Sequence, residues 1–371
     1  MSSDGRGPAR TRHCSLTFRF VSFLSVPHLV AAPDKFRGTA TAAEVAAAAA
    51  GAAREAGWSA DEAPMSDGGE GLLHVLGGTR HFTTVTGPLG APVEAEWRMI
   101  HDAQHGAPTA VIEMSRAAGR ALVPQPRGDD PVRASTIGVG QLLLAAKEAG
   151  AQRLVIGCGG SATTDGGVGA YEAVGSPAAL DGVDLVVACD VTTPFLEAAV
   201  VFGPQKGATP TQIDALTRRL AQTAARYERE SGLDVTMLPG AGAAGGLAGG
   251  LAALGARIEP GFYVVARFVG LAGRLARADL VVTGEGHLDP PSFSGKVPGG
   301  VLALARASRR HAGPPPVLCI AGASDQSLLF TPPAGMEVVS LTDRFGRRRA
   351  RGETVALVRQ VTAEALARFC P

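Results

Sequence analysis

Ten consecutive residues, CGGSATTDGG at 158–167, contain four glycines, three hydroxyl side chains and one carboxylate, Asp165. Glycine lets backbone amides approach an anion, and a helix N-terminus behind such a loop adds favourable partial charge. Five other stretches combine glycine or a turn with charged or polar side chains. They are APDKFRG (32–38), SDGGEG (66–71), CDVTTP (189–194), PGAGAAGG (239–246) and TGEGHLD (283–289). One such loop alone reads as a structural turn. All of them together, most at the ends of expected strands, point to a polyanionic ligand, because open α/β sheets bind ligands beyond the carboxyl ends of their strands.

The charged residues in these loops narrow the chemistry. Lys35, Arg37, Lys206 and Lys296 are loop cations. Asp67, Glu70, Asp165, Asp190, Glu285 and Asp289 are loop carboxylates. Phosphoryl transfer needs positioned cations, a magnesium-binding carboxylate and a group that orients the attacking hydroxyl. Taken singly, each carboxylate also reads as an N-cap or Asx turn, and each lysine as a solvated surface. Other chemistries lack their marks. SGKVP at 294–298 has Val297 where a Walker A loop needs Ser or Thr. GAGAAGG at 240–246 follows no clear strand, and no well-placed acid follows it, so a dinucleotide fingerprint is incomplete. No H-E-x-x-H motif or His cluster suggests zinc, and Ser161 lacks the G-x-S-x-G setting of a hydrolase nucleophile.

The elements that must position these loops are legible. HLVAA, at 28–32, reads as a first core strand. The alanine-rich stretch after it reads as a helix, with Thr41 and Glu44 spaced as a capping box. Residues 81–100 alternate around a Gly-Pro turn and read as an antiparallel hairpin. PTAVIEM, QRLVIGC and VDLVVACD read as strands, and 136–150 and 209–232 as helices. VVARFVGLAGRLARA reads as one helical stretch. The final third alternates strand and helix, which implies a parallel sheet with crossover helices. The fold class expected is α/β: a Rossmann-like parallel-sheet domain interrupted by an inserted second α/β (α+β) domain, with the active site in the cleft between them. The expected division is 26–79 with 265–371 for the discontinuous Rossmann-like domain and 80–264 for the insert.

Composition sets outer bounds. The chain has 371 residues, 46% of them hydrophobic, and a formal net charge of +1. That balance argues against capture of nucleic acid or an anionic membrane surface. The basic run GRRRAR, at 346–351, reads as a solvated loop or helix start. Five scattered cysteines without C-x-x-C spacing fit a reducing compartment, the cytoplasm, without structural zinc. No uninterrupted apolar run is long enough to cross a bilayer. Residues 10–32 imitate a signal peptide, but cleavage after Ala32 would remove the first core strand. The expectation is that 1–25 lie outside the fold and that translation starts near Val26, which the N-terminal mass of the native protein tests.

The motifs APDKFRG, SDGGEG, VTGPLG, IEM, GCGGSATTDGG, ACDVTTP, VFGPQKGA, PGAGAAGGL and TGEGHLD…GKVP resemble, in that order, those of type I glycerate kinases. The match runs from about His28 to about Gly322. The resemblance implies ATP- and Mg2+-dependent phosphorylation of D-glycerate, most often to 2-phosphoglycerate in bacterial members. It implies two small-molecule substrates, and it leaves a homodimer open. It also suggests roles. Asp190 would orient or deprotonate the glycerate hydroxyl, and Lys35 would hold the glycerate carboxylate or the moving phosphoryl group. Asp67, Glu70 and Arg37 would contact substrate. Gly159, Gly160 and Ser161 in one loop, and Gly240, Gly242 and Gly245 in another, would cradle phosphate, with Lys206 and Lys296 neutralising it. Asp289 and Asp165 are the metal candidates.

Some positions depart from the family pattern. Arg37 stands where a lysine is usual, Thr164 and Thr193 where asparagine is usual, and Arg116 where a small residue is usual. Between AYEAVG and VDLVVACD only SPAALDG remains of a normally longer segment. That shortening keeps a non-catalytic, ligand-binding relative as the alternative. A dinucleotide-dependent oxidoreductase is a third reading, which a preference for NAD over ATP would reveal.

Overall fold

The computed structural model describes residues 26–101, 106–308 and 313–368. The expectation for residues 1–25 therefore lies outside the described residues. Strands β1 (His28–Ala31) and β2 (Ser59–Glu62) open the fold. Then come β3 (Thr79–Thr86), β4 (Pro92–Ile100), β5 (Thr109–Glu113), β6 (Arg153–Gly157), β7 (Asp184–Cys189) and β8 (Arg257–Pro260). β9 (Leu280–Leu288), β10 (Val317–Ser324) and β11 (Met336–Ser340) close the set.

These strands form two sheets. One has five parallel strands in the order β11-β10-β9-β1-β2, so both ends of the described chain contribute to it. The other has six strands in the order β3-β4-β5-β6-β7-β8. Its β3-β4-β5 part is antiparallel and the rest is parallel. The chain is thus a mixed α/β protein. β1 and β9 pair with Val30 opposite Val281, although about 250 residues separate them.

Apolar residues on alternate faces explain the layering. Leu29, Val282 and Ile320 face helices Ala42–Glu55 and Thr354–Leu366. Val30, Val281 and Cys319 face the other way. They share a core with Val111, Val155 and Val186 of the second sheet, through Phe262, Leu271 and Val301 on the intervening helices. A third core covers the far face of the second sheet and includes Ile156, Val187, Leu220 and Tyr227. Each fully buried Val, Leu or Phe contributes about 1.5–3 kcal/mol. Thr41 caps the first helix as its spacing predicts: Glu44 N donates to Thr41 Oγ1 at 3.2 Å, and Thr41 N to Glu44 Oε2 at 2.8 Å.

Three local differences have physical causes. β2 (SADE) and β8 (RIEP) are four-residue edge strands with little burial, so neither carries the alternation that marks a strand. The stretch VVARFVGLAGRLARA is split at Gly270, whose φ of 62° ends one helix and starts the next. The shortened connection before β7 is a single turn, Pro177–Leu180, held by Lys147 Nζ donating to the Ala179 carbonyl at 2.7 Å. β7 keeps a partner on each side, β6 and β8. Cys158, Cys189 and Cys319 are buried free thiols. No described helix is long and apolar enough to cross a membrane.

Candidate active site

Asp190 directly follows β7, on the side where the second sheet faces the first. Asp34 and Lys35 follow β1, Asp67 follows β2, and Glu285 and Asp289 come at the end of β9. Lys296 stands at the start of helix Val297–Arg306. These groups act on one another. Burial raises the Asp190 carboxyl above its ordinary range and Asp67 adds to this, while Lys296 and Lys35 oppose it. Burial also pushes Asp34 up to about 7, against the pull of Lys35 and with further push from Asp67 and Glu285. Glu285 is raised by burial, with Asp289 and Asp67 adding to the effect and the Ser292 hydroxyl and Lys296 opposing it. Carboxylates and lysines from both sheets therefore share one field, which makes this cluster the candidate site.

Backbone geometry brings these loops together. A Cβ on Gly159 would lie 2.7 Å from Gly69 Cα, so only glycine there lets the loop after β6 touch the loop after β2. Glu113, which ends β5 and is 2% exposed, clamps the second of these loops. Its Oε1 accepts from Gly71 N at 2.8 Å and Leu73 N at 3.1 Å, and its Oε2 accepts from Arg116 Nε at 3.2 Å. Asp67 Oδ1 accepts from Gly69 N at 3.1 Å. An open cavity of about 430 Å³ adjoins, lined by Lys35, Arg37, Glu70, His74 and Arg116.

Of the residues expected from sequence, the structure brings Lys35, Asp67, Asp190, Asp289 and Lys296 to the cluster. It sets Arg37 and Glu70 on the adjoining cavity. Gly159 and Gly160 lie on the loop beside it, and Gly160 O accepts from Arg120 N at 2.8 Å. Ser161 is buried and bridges to Gly119.

Five expected residues go elsewhere, each for a visible reason. The geometry turns Asp165 from a metal candidate into an internal brace. Its carboxylate accepts from Thr136 N and Thr136 Oγ1 at 2.8 Å, Gly167 N at 3.1 Å and Gly169 N at 3.2 Å. Lys206 is 5% exposed and donates to the Thr163 carbonyl, and burial lowers its ammonium to about 7. The segment with Gly240, Gly242 and Gly245 is not an open cradle, because it is buried throughout. Gly242 N donates to Thr193 O at 3.0 Å, and Ala243 N to Gly240 O at 2.9 Å. At Gly245, with φ 72°, a Cβ would lie 1.9 Å from Thr163 O.

Two residues were missed. Asp34 lies in APDKFRG, where the adjacent Lys35 makes it read as half of a local ion pair. Glu113 belongs to the IEM motif, but its partners are about 40 residues away in sequence. A carboxylate at the last position of a buried strand was the available signal for Glu113.

A two-sheet α/β enzyme with a charged cleft between its sheets is the class that fold and site define. Comparison with known proteins adds the family. The glycerate kinase family model matches residues 29–179 and 176–369. The two matches meet in the short turn before β7. A glycerate kinase from Halalkalibacterium halodurans is 39% identical over 336 residues, covering 80% of this chain and 86% of that one. The glycerate 2-kinase of Escherichia coli K12 is 37% identical over 333 residues, covering 79% and 85%. A crystal structure from Salmonella typhimurium LT2, provisionally named glycerate kinase 2, superposes with a TM-score of 0.75. It is 34% identical, and the match covers 92% of this chain and 99% of that one. The chain belongs to the glycerate kinase family, and so to the kinases.

Proposed function

We propose that the protein transfers the γ-phosphoryl group of ATP to D-glycerate and forms 2-phosphoglycerate. The observation that carries this reading is Asp190, a carboxylate of raised proton affinity held in the field of Lys35 and Lys296 at the junction of the sheets. A carboxylate so placed can take the proton of an attacking hydroxyl, and such a group accelerates proton transfer by about 10²–10⁴-fold. Lys296 and Lys35 stabilise charge on the moving phosphoryl group. Lys35 and Arg116 line the adjoining cavity and suit the glycerate carboxylate. Glu113 positions the loop bearing Asp67, acting through the backbone.

The residues present fit a magnesium ion carried with the nucleotide. Glu285 Oε1 is buried without a hydrogen-bond partner. Asp289 uses Oδ1 to cap the turn Pro290–Phe293, with Ser292 N at 3.0 Å and Ser292 Oγ at 2.8 Å. Among the described residues no three or more His, Cys, Asp or Glu side chains form a metal cage. Mg2+ takes one or two carboxylates from a protein and completes its shell with substrate phosphates and water. When bound, the ion would neutralise phosphate charge during transfer.

Phosphorus NMR of one reaction with ATP, Mg2+ and D-glycerate tests the proposal. A 2-phosphoglycerate signal is expected. A 3-phosphoglycerate signal would keep the kinase and overturn the regiochemistry. A folded, ATP-binding protein that makes neither would overturn turnover itself and favour the non-catalytic alternative.

A further inference from the structure

The basic run at 346–351 has no place in the cleft described above. It forms the short helix Arg347–Gly352. Arg349 pairs with Glu353 at 2.8 Å. Arg347 and Arg351 instead line a second cavity, of about 240 Å³, together with Arg37, Thr342 and the backbone of Gly286 and Gly322. No acidic side chain lines it. Among the described residues, none of Arg37, Arg347 and Arg351 makes an ion pair.

This cavity sits at the carboxyl ends of β9 and β10 and beside the loop after β1. The strand order runs outward in both directions from the β1–β9 pair, so this is the switch point where α/β sheets take ligands. The floor is bare backbone. A Cβ at Gly322 would meet Gly286 O at 2.5 Å, and Thr342 Oγ1 ties the next element to Gly322 O at 2.7 Å. Guanidinium groups gathered without carboxylates repel one another unless an anion joins them, and their planar forks match phosphate oxygens. The volume is below the roughly 300 Å³ at which pockets hold a whole drug-sized ligand. It suits a chain of phosphates rather than an entire nucleotide. Arg37 and Thr39 line both this cavity and the one that holds Lys35, so the two are neighbours.

We infer that this cavity seats the polyphosphate of the nucleotide, with Arg347 and Arg351 as its outer clamp and Arg37 at the passage to the acceptor. The ligand's identity rests on the kinase reading; the anion site itself rests on the charges and shape alone. Titration calorimetry with inorganic tripolyphosphate, alone and in competition with ATP, would test it on the full chain. The wild type and the exposed-residue double variant Arg347→Gln/Arg351→Gln would be compared. Tripolyphosphate is expected to bind the wild type, to compete with ATP, and to weaken about tenfold or more in the variant, since losing 1.4 kcal/mol is a factor of ten. The KM for ATP should rise in parallel, with the KM for D-glycerate held. Arg347→Lys/Arg351→Lys, which keeps the charge and loses the fork, should bind tripolyphosphate between the wild type and the Gln variant, and a wild-type melting temperature in both variants shows that the helix tolerates change. Unaltered tripolyphosphate affinity and ATP KM in the Gln variant would overturn the site. Weakened binding that does not compete with ATP would overturn the nucleotide assignment in favour of another phosphorylated ligand. A wild type without phosphotransfer would defeat the kinase reading, and the tripolyphosphate titration would still decide the cavity.

Discussion

Two regions of this molecule have nearly the same composition and opposite character. The 158–167 loop holds glycines, hydroxyls and Asp165, with Lys206 behind it. The inter-sheet cluster holds glycines, carboxylates and two lysines. In the first region the two charged groups find partners within the protein, although Thr163 Oγ1 is buried without one. Asp165 has four donors and Lys206 has the Thr163 carbonyl. In the second, like charges are crowded, and burial raises Asp34, Asp190 and Glu285. A charge matched by its own protein stabilises the fold. A charge left poorly matched is available to a ligand. Residue type does not separate the two cases; the number of partners does.

Substitution should separate them. The largest effect is expected on rate: Asp190→Asn should lower kcat/KM by about 10²–10⁴-fold, the range for a lost general base, with the melting temperature at neutral pH at or above wild type, since burial raises this carboxyl too. Steady-state assay with thermal melts would show both. Next is Asp34→Asn, which should cost activity yet stabilise the protein at pH 7.5 by roughly 2–4 kcal/mol. The sign follows from linkage. Asp34 holds its proton more tightly when folded, with its pKa raised from 3.8 to about 7. Its contribution is therefore full at low pH and is lost as pH rises through that window. Chemical denaturation of both proteins from pH 4 to 8 should show the gap opening with pH; a constant gap would refute the shift.

Asp165→Asn should do the reverse. It should lose about 2–3 kcal/mol of stability as charge-assisted hydrogen bonds weaken, while turnover per folded molecule stays within about twofold. Smallest is Glu113→Gln, expected to cost about 1–2 kcal/mol and to raise the KM for D-glycerate more than it lowers kcat, because the loop bearing Asp67 loosens. An unchanged KM would mean that Glu113 braces the fold without positioning the site.

The strands and most helices were legible because hydrophobic alternation and capping are local. So was the placement of chemistry at strand ends, which put Lys35, Asp67, Asp190, Asp289 and Lys296 among the candidates. What sequence could not separate was an open glycine loop from a closed one. Segment 240–246 looks like a phosphate cradle in one dimension. Its burial depends on residues 163–166 and 191–194 closing over it, and no local pattern encodes that. Asp34 was hidden for a related reason. Beside Lys35 it reads as an ordinary ion pair, and only the approach of Asp67 and Glu285 from other strands makes it unusual.

The central claim is that turnover belongs to the inter-sheet cluster and not to the glycine-rich loop beside it. Phosphorus NMR of product formation by Asp190→Asn and Asp165→Asn, at equal concentrations of folded protein, tests it most directly. The account predicts that phosphoglycerate disappears with the first substitution and persists with the second. Persistence with Asp190→Asn and loss with Asp165→Asn would contradict it.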